Sequence, residues 1–124
     1  MKLRLKCNKT SMHMLCCTFL DNVPEEMKSV IHKPHMKDCD FYKSPRSRDY
    51  FLSFYMDEYY FKFYMAVCLG KPGLNMSVYR INENDVMKRD CVFDKVYQLP
   101  LALLNYYHLL EVLPDKEQEV FVNE

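Results

Sequence analysis

From Tyr50 to Ile81 the chain is a nearly unbroken run of aromatic and other strand-compatible residues, and this run constrains the fold more than any other feature. Two polar breaks, Asp57-Glu58 and Gly70-Lys71-Pro72-Gly73, divide it. Tyr50 to Met56, Tyr59 to Leu69 and Leu74 to Ile81 are therefore expected to form an antiparallel meander. Side chains alternate along a strand. Tyr59, Phe61, Phe63, Met65 and Val67 then share one face, which is assigned to the core. Tyr60, Lys62, Tyr64, Ala66 and Cys68 share the other.

The flanks are read from the same rules. Lys2 to Cys7 alternates polar and apolar residues, Asn8 to Ser11 reads as a turn, and Met12 to Leu20 as a buried strand, together an N-terminal hairpin. Asp21 or Asn22 can cap a short helix with Pro24 in its first turn, Met27, Val30 and Ile31 on one side, and Pro34 at its end. Residues 33–49 read as a polar loop with a basic cluster, Lys43, Arg46 and Arg48. Asn82 to Asp90 reads as a polar connection and Cys91 to Tyr97 as a further strand. Leu99 to Leu113 reads as a long helix, because Leu99, Leu103, Tyr106, Leu110 and Leu113 follow the helical period between Pro100 and Pro114. Residues 114–124 form an acidic tail in which Val120-Phe121-Val122 suits an edge strand.

The expected fold class is α+β: one domain over residues 1–124, a curved antiparallel sheet in the order ββαββββα, with one short and one long helix packed on it. That element order is similar to PAS or profilin-like sheets, a resemblance that brings no functional residue with it.

Composition removes several function classes. Only Gly70 and Gly73 occur, so no glycine-rich phosphate cradle is present and no nucleotide cofactor is expected. Seventeen basic and seventeen acidic residues cancel, which weighs against general duplex binding. No apolar run reaches the ~20 residues of a membrane span. Met1 to Leu20 lacks a continuous apolar signal core, so the expected compartment is the cytoplasm, or the host cytoplasm or nucleus for a viral chain. Cys7, Cys16, Cys17, Cys39, Cys68 and Cys91 should then be reduced. The sequons at Asn8 and Asn75 count as accidental for the same reason.

Four constellations bear on chemistry. His32, His35 and Cys39, with Cys16, Cys17 or His13 as a fourth ligand, are the best zinc candidate, but the two compact ligand pairs of structural zinc are missing and a polar loop is preferred. A Cys beside a His, such as Cys39 with His35, would be needed for a small nucleophilic enzyme; no family signature surrounds any such pair. Asp57-Glu58 are more simply turn residues than paired catalytic acids. Tyr60, Lys62 and Tyr64, flanked by Tyr55 and Tyr79 and with Arg80 beside them, would suit a stacking platform for a single-stranded nucleic acid if no helix covers them. Zero net charge favours the covered alternative.

The helix 99–113 has Glu111 as its only formal charge. Leu99, Leu103, Tyr106 and Leu110 are expected on the sheet. Ala102, Asn105, Leu109 and Val112 would lie on a second side, with Tyr107 and His108 at its edges, as a partner-binding surface. The reading is thus a small non-enzymatic protein-binding factor, an inhibitor or adaptor acting on a protein partner or by homodimerisation. Short Met-, Cys- and Tyr-rich chains of this kind suit viral or phage accessory proteins. Single-stranded nucleic-acid binding and a small Cys/His enzyme are the alternatives.

Overall fold

The computed structural model describes residues 2–46, 49–68, 71–82 and 84–113. The acidic tail, its Val120-Phe121-Val122 segment, Arg48, Gly70 and Pro114 lie outside them. The fold is α+β, with a five-stranded antiparallel sheet, a two-stranded sheet and few helices.

The five strands are β2 (Asp40–Lys43), β3 (Tyr50–Met56), β4 (Tyr59–Cys68), β5 (Lys71–Asn82) and β6 (Asp85–Gln98), and each pairs with its neighbour in sequence. This is the meander that the aromatic run implies. Asp57 takes a left-handed φ of 53° in the turn between β3 and β4, a conformation Asp tolerates better than most residues. Two stretches read as loop are strand instead. Asp40–Lys43 pairs with β3, and the polar stretch at 85–90 belongs to β6. Charged residues are compatible with both because β2 and β6 are the sheet's edges, where solvent reaches side chains on at least one flank.

One sheet face holds the core. Tyr50, Leu52, Phe54 and Met56 of β3, Tyr59, Phe61, Phe63 and Met65 of β4, and Leu74, Met76 and Val78 of β5 are all buried. Phe54 stacks on Phe61 with centroids 5.1 Å apart. Burying Phe61 and Phe63 contributes roughly 1.5–3 kcal/mol each. The lid over this face differs from the sequence reading. Met12 to Leu20 is not a strand: helix α1 spans Lys9–Thr18. Asn8 is its cap. Its side chain accepts from the Ser11 amide at 2.8 Å, while the Ser11 hydroxyl accepts from the Asn8 amide at 3.0 Å. The "turn" Asn8 to Ser11 is therefore a reciprocal capping box. Met12, Leu15 and Cys16 fall on its buried side. The expected short helix is instead a pair of 3-10 turns, Leu20–Asn22 and Glu25–Val30, which still bury Met27.

The C-terminal helix is also corrected. Helix α2 spans only Leu101–Tyr106, and strand β7 (Leu110–Leu113) follows it. His108 adopts a φ of 57°. Its amide donates to the Asn105 carbonyl, and the Leu109 amide donates to the Leu104 carbonyl at 2.8 Å. This is a Schellman stop, with Leu104 and Leu109 both fully buried as its hydrophobic contact. Strand β7 then pairs antiparallel with β1 (Lys2–Leu5), placing Arg4 opposite Glu111. Arg4 Nε lies 2.7 Å from Glu111 Oε2, and this partner holds the Glu111 carboxyl below its ordinary range. Leu109 is core and Tyr106 is 74% exposed, the reverse of the single-helix expectation. The observed order also departs from ββαββββα, and with it from the PAS-like or profilin-like order.

Leu109→Ala should therefore lower unfolding free energy by about 2–5 kcal/mol, while Tyr106→Ala should change it by less than ~0.5 kcal/mol, measured by urea denaturation. His108→Gly should raise it by about 1 kcal/mol, because the left-handed residue then carries no Cβ. A helix running to residue 113 would reverse the first pair of results.

Candidate functional site

The second face of the five-stranded sheet is built by the residues that alternate with the core. The strand register arranges them in rows. Tyr42, Phe51, Tyr64, Asn75 and Val96 form one row across β2 to β6. Asp40, Ser53, Lys62, Ser77 and Asp94 form the next. Tyr55, Tyr60, Tyr79 and Cys91 form the third. Solvent reaches this face: Tyr42, Tyr55 and Val96 are 56–68% exposed, and Lys62 is exposed. Tyr60, Lys62, Tyr64 and Tyr79 thus do come together, beside Tyr55, on a face that solvent reaches and that no described helix covers. Arg80 does not join them. It lies on the core side, where its Nη2 donates to the Tyr59 hydroxyl at 3.4 Å.

The rings pack on one another. Phe51 and Tyr64 have centroids 4.8 Å apart and planes 17° apart, so their faces overlap. Tyr55 and Tyr60 lie 4.9 Å apart, and Tyr60 and Tyr79 lie 6.3 Å apart. The Arg89 guanidinium sits 4.3 Å from the Tyr60 ring centre and donates to the Tyr55 hydroxyl at 2.8 Å. Lys62 Nζ lies 5.7 Å from the centre of Phe51. Tyr64 donates its hydroxyl to Asp49 Oδ2 at 2.9 Å. Asp94 accepts from Asn75 at 2.6 Å and from Ser77 at 3.0 Å. Ring faces are thereby partly occupied by neighbouring rings and cations, and the Tyr55 and Tyr64 hydroxyls are held by Arg89 and Asp49.

Phe51, Tyr42 and Arg89 were missed as members of this surface. The alternation of β3 and β2 places the first two. Arg89 arrives through a bulge in β6: Val78 opposes Phe93 but Tyr79 opposes Cys91, so Val92 is the extra residue and the parity of β6 changes there. No sequence pattern announces that shift.

The other candidates are dispersed. His32 and His35 are exposed while Cys39 is buried, its thiol donating to the His35 carbonyl at 3.5 Å. Among the described residues no three His, Cys, Asp or Glu side chains are grouped to hold a metal ion. The proposed partner residues do not share a face. Leu109 is core, and Val112 is exposed on β7. The Tyr107 hydroxyl lies 2.6 Å from Thr18 Oγ1, and His108 forms the helix stop. Met14, Leu101 and Tyr106 are also exposed. Among the described residues no helix is long and apolar enough to cross a membrane.

Among the described residues Cys17 approaches His13, on successive turns of α1. Sγ lies 3.8 Å from Nε2 and 4.0 Å from Nδ1, almost equidistant, so the sulfur is not aligned on either nitrogen. Nε2 is also 2.8 Å from the Pro34 carbonyl, to which it donates. Burial pushes the Cys17 thiol up, only partly offset by Lys33. An activated nucleophile needs the opposite shift. Cys16 is raised further by burial and by the neighbouring thiols Cys7, Cys17 and Cys39.

Burial likewise pushes Cys7 and Cys39 up to about 11. The folded state therefore holds these thiol protons more tightly than the unfolded chain. The stability this contributes is complete below about pH 9 and is lost as pH rises through about 11. The urea midpoint should fall more steeply between those limits in the wild type than in a Cys7→Ala/Cys39→Ala variant.

No protein-family model, curated protein or solved structure matches this chain.

Proposed function

We propose that this chain is a small non-enzymatic protein-binding factor that docks its partner on the uncovered aromatic face of the five-stranded sheet. The observation that carries the reading is the pre-set cluster of Tyr55, Tyr60, Tyr79 and Arg89, with Phe51 and Tyr64 beside it. Tyr and Arg dominate interface hot spots, because each combines a large contact area with a polar tip. Here mutual stacking fixes the side chains in advance, which lowers the ordering entropy that a partner must offset. Four strand spacings and about seven residues of strand length give a projected area of roughly 400 Å², the size of patches that mark interaction sites on monomers.

Two features favour a protein over a single-stranded nucleic acid. Bases stack on free ring faces, and here Phe51, Tyr60 and Tyr64 already share theirs. Phosphates need a basic groove, and the register sets Asp40 and Asp94 in the same row as Lys62. An adaptor or inhibitor role suits a binding surface with no activated nucleophile beside it.

Tyr60→Ala and Arg89→Ala test the face without touching the core. A partner captured from native lysate by the wild type should survive nuclease treatment and should be lost, at least tenfold, in both variants while Tyr106→Ala retains it. Salt-sensitive, submicromolar binding of an oligonucleotide that Lys62→Ala abolishes would replace this reading with the nucleic-acid one.

A further inference from the structure

The two edges of the main sheet are unequal. Strand β2 has four residues, whereas β6 has fourteen and pairs only with β5 among the described strands. Its outer edge presents main-chain donors and acceptors along a stretch in which residues 88–91 and 94–96 are exposed. Such an edge is a template for another strand unless its side chains repel one. From residue 88 on its charges are Lys88, Arg89, Asp90, Asp94 and Lys95.

We propose that the chain self-associates through this edge, β6 pairing antiparallel with β6 of a second copy about a twofold axis between Val92 and Phe93. In this register Asp90 of each copy faces Lys95 of the other, twice per dimer. Asp90 and Lys95 are five residues apart, so in a regular strand they would lie on opposite faces. The bulge at Val92 removes that conflict. Asp90 opposes Arg80, and Lys95 opposes Met76, both on the core side of β5. Cys91 and Asp94 likewise share the aromatic side, as do Arg89 and Val96. The bulge is therefore what allows the two strands to pair with every face matched.

Neighbouring registers are worse. Shifting the sum of paired positions down by one sets Asp90 against Asp94 and Arg89 against Lys95. Shifting it down by two sets Lys88 against Lys95, which offsets the attraction it gains between Arg89 and Asp94. Shifting it up loses the opposite-charge pair. Directly opposed unlike charges stabilise a sheet pair and like charges destabilise it, each by roughly 0.2–1 kcal/mol. Zero net charge adds no general repulsion between copies. A twofold axis normal to the sheet also leaves both aromatic faces on the same side, so the dimer would present two docking surfaces side by side. The edge shares β6 with the face, but Asp90 and Lys95 lie on the core side, so substitutions there test the edge without altering the aromatic cluster.

Sedimentation equilibrium of four samples tests this. Wild type should dimerise reversibly. Asp90→Lys alone and Lys95→Asp alone should each weaken dimerisation by about tenfold or more, since two attractive pairs become two repulsive ones. An equimolar mixture of those two variants should recover the dimer as a heterodimer, because every contact is again between opposite charges. Both residues are exposed, and circular dichroism should show both variants folded. A wild type that stays monomeric at its solubility limit would overturn the proposal. A dimer that neither substitution weakens, or a mixture that stays monomeric, would do the same.

Discussion

The alternation along β4 decides most of this molecule. Phe61, Phe63 and Met65 are completely buried, while Tyr60, Lys62 and Tyr64 lie between them on the other side. An antiparallel sheet needs only one covered face. Helix α1, the 3-10 turns around Met27, and the unit formed by α2 and β7 supply that cover, contributing Met12, Leu15, Met27, Leu104 and Leu109 to one continuous core. Among the described residues, the elements outside the sheet that contribute buried core residues do so on that side. The opposite face is left to residues that tolerate water and still pack: tyrosines, Lys62, Ser53 and Asn75.

The middle of the fold was legible because runs rich in aromatic and other strand-compatible residues, cut by two polar turn-forming breaks, favour hairpins over helices. The flanks were not, for different reasons. Met12 to Leu20 is apolar at so many positions that a buried strand and a helix fit equally well. The deciding signal was present: Asn8 and Ser11 have the spacing of a capping box, and Met12, Leu15, Cys16 and Leu20 recur at three and four residues. At the C-terminus the apolar spacing runs past the helix end, because Leu109, Leu110 and Val112 serve a stop and a strand. Helices usually mark that stop with glycine, and here His108 takes the left-handed position instead.

The surface was partly legible. Tyr60, Lys62, Tyr64 and Tyr79 follow from strand parity alone. Parity also separates Arg80 from Tyr79, since adjacent residues point to opposite faces, so grouping Arg80 with Lys62 contradicted the pattern used to find the rest. Whether the face is open depends on where the lid elements pack, a tertiary outcome with no local code. Arg89 is the clearest case. It reaches the Tyr55–Tyr60 pair only because Val92 bulges out of register with β5.

That bulge also bears on how the sheet ends. Bulges and charges are usual defences of an exposed edge, because they twist or repel an incoming strand. On β6 neither acts indiscriminately. From residue 88 on the charges run Lys88, Arg89, Asp90, then Asp94, Lys95, an order in which the Asp90–Lys95 register brings no like charges together while its neighbours lose that pair or add like-charge contacts. A strand carrying a single sign of charge would reject every copy of itself. A strand with mixed charge and a parity shift at its centre disfavours most mismatched pairings without excluding every copy of itself, so the same two devices that limit aggregation would also set the register of the dimer we propose.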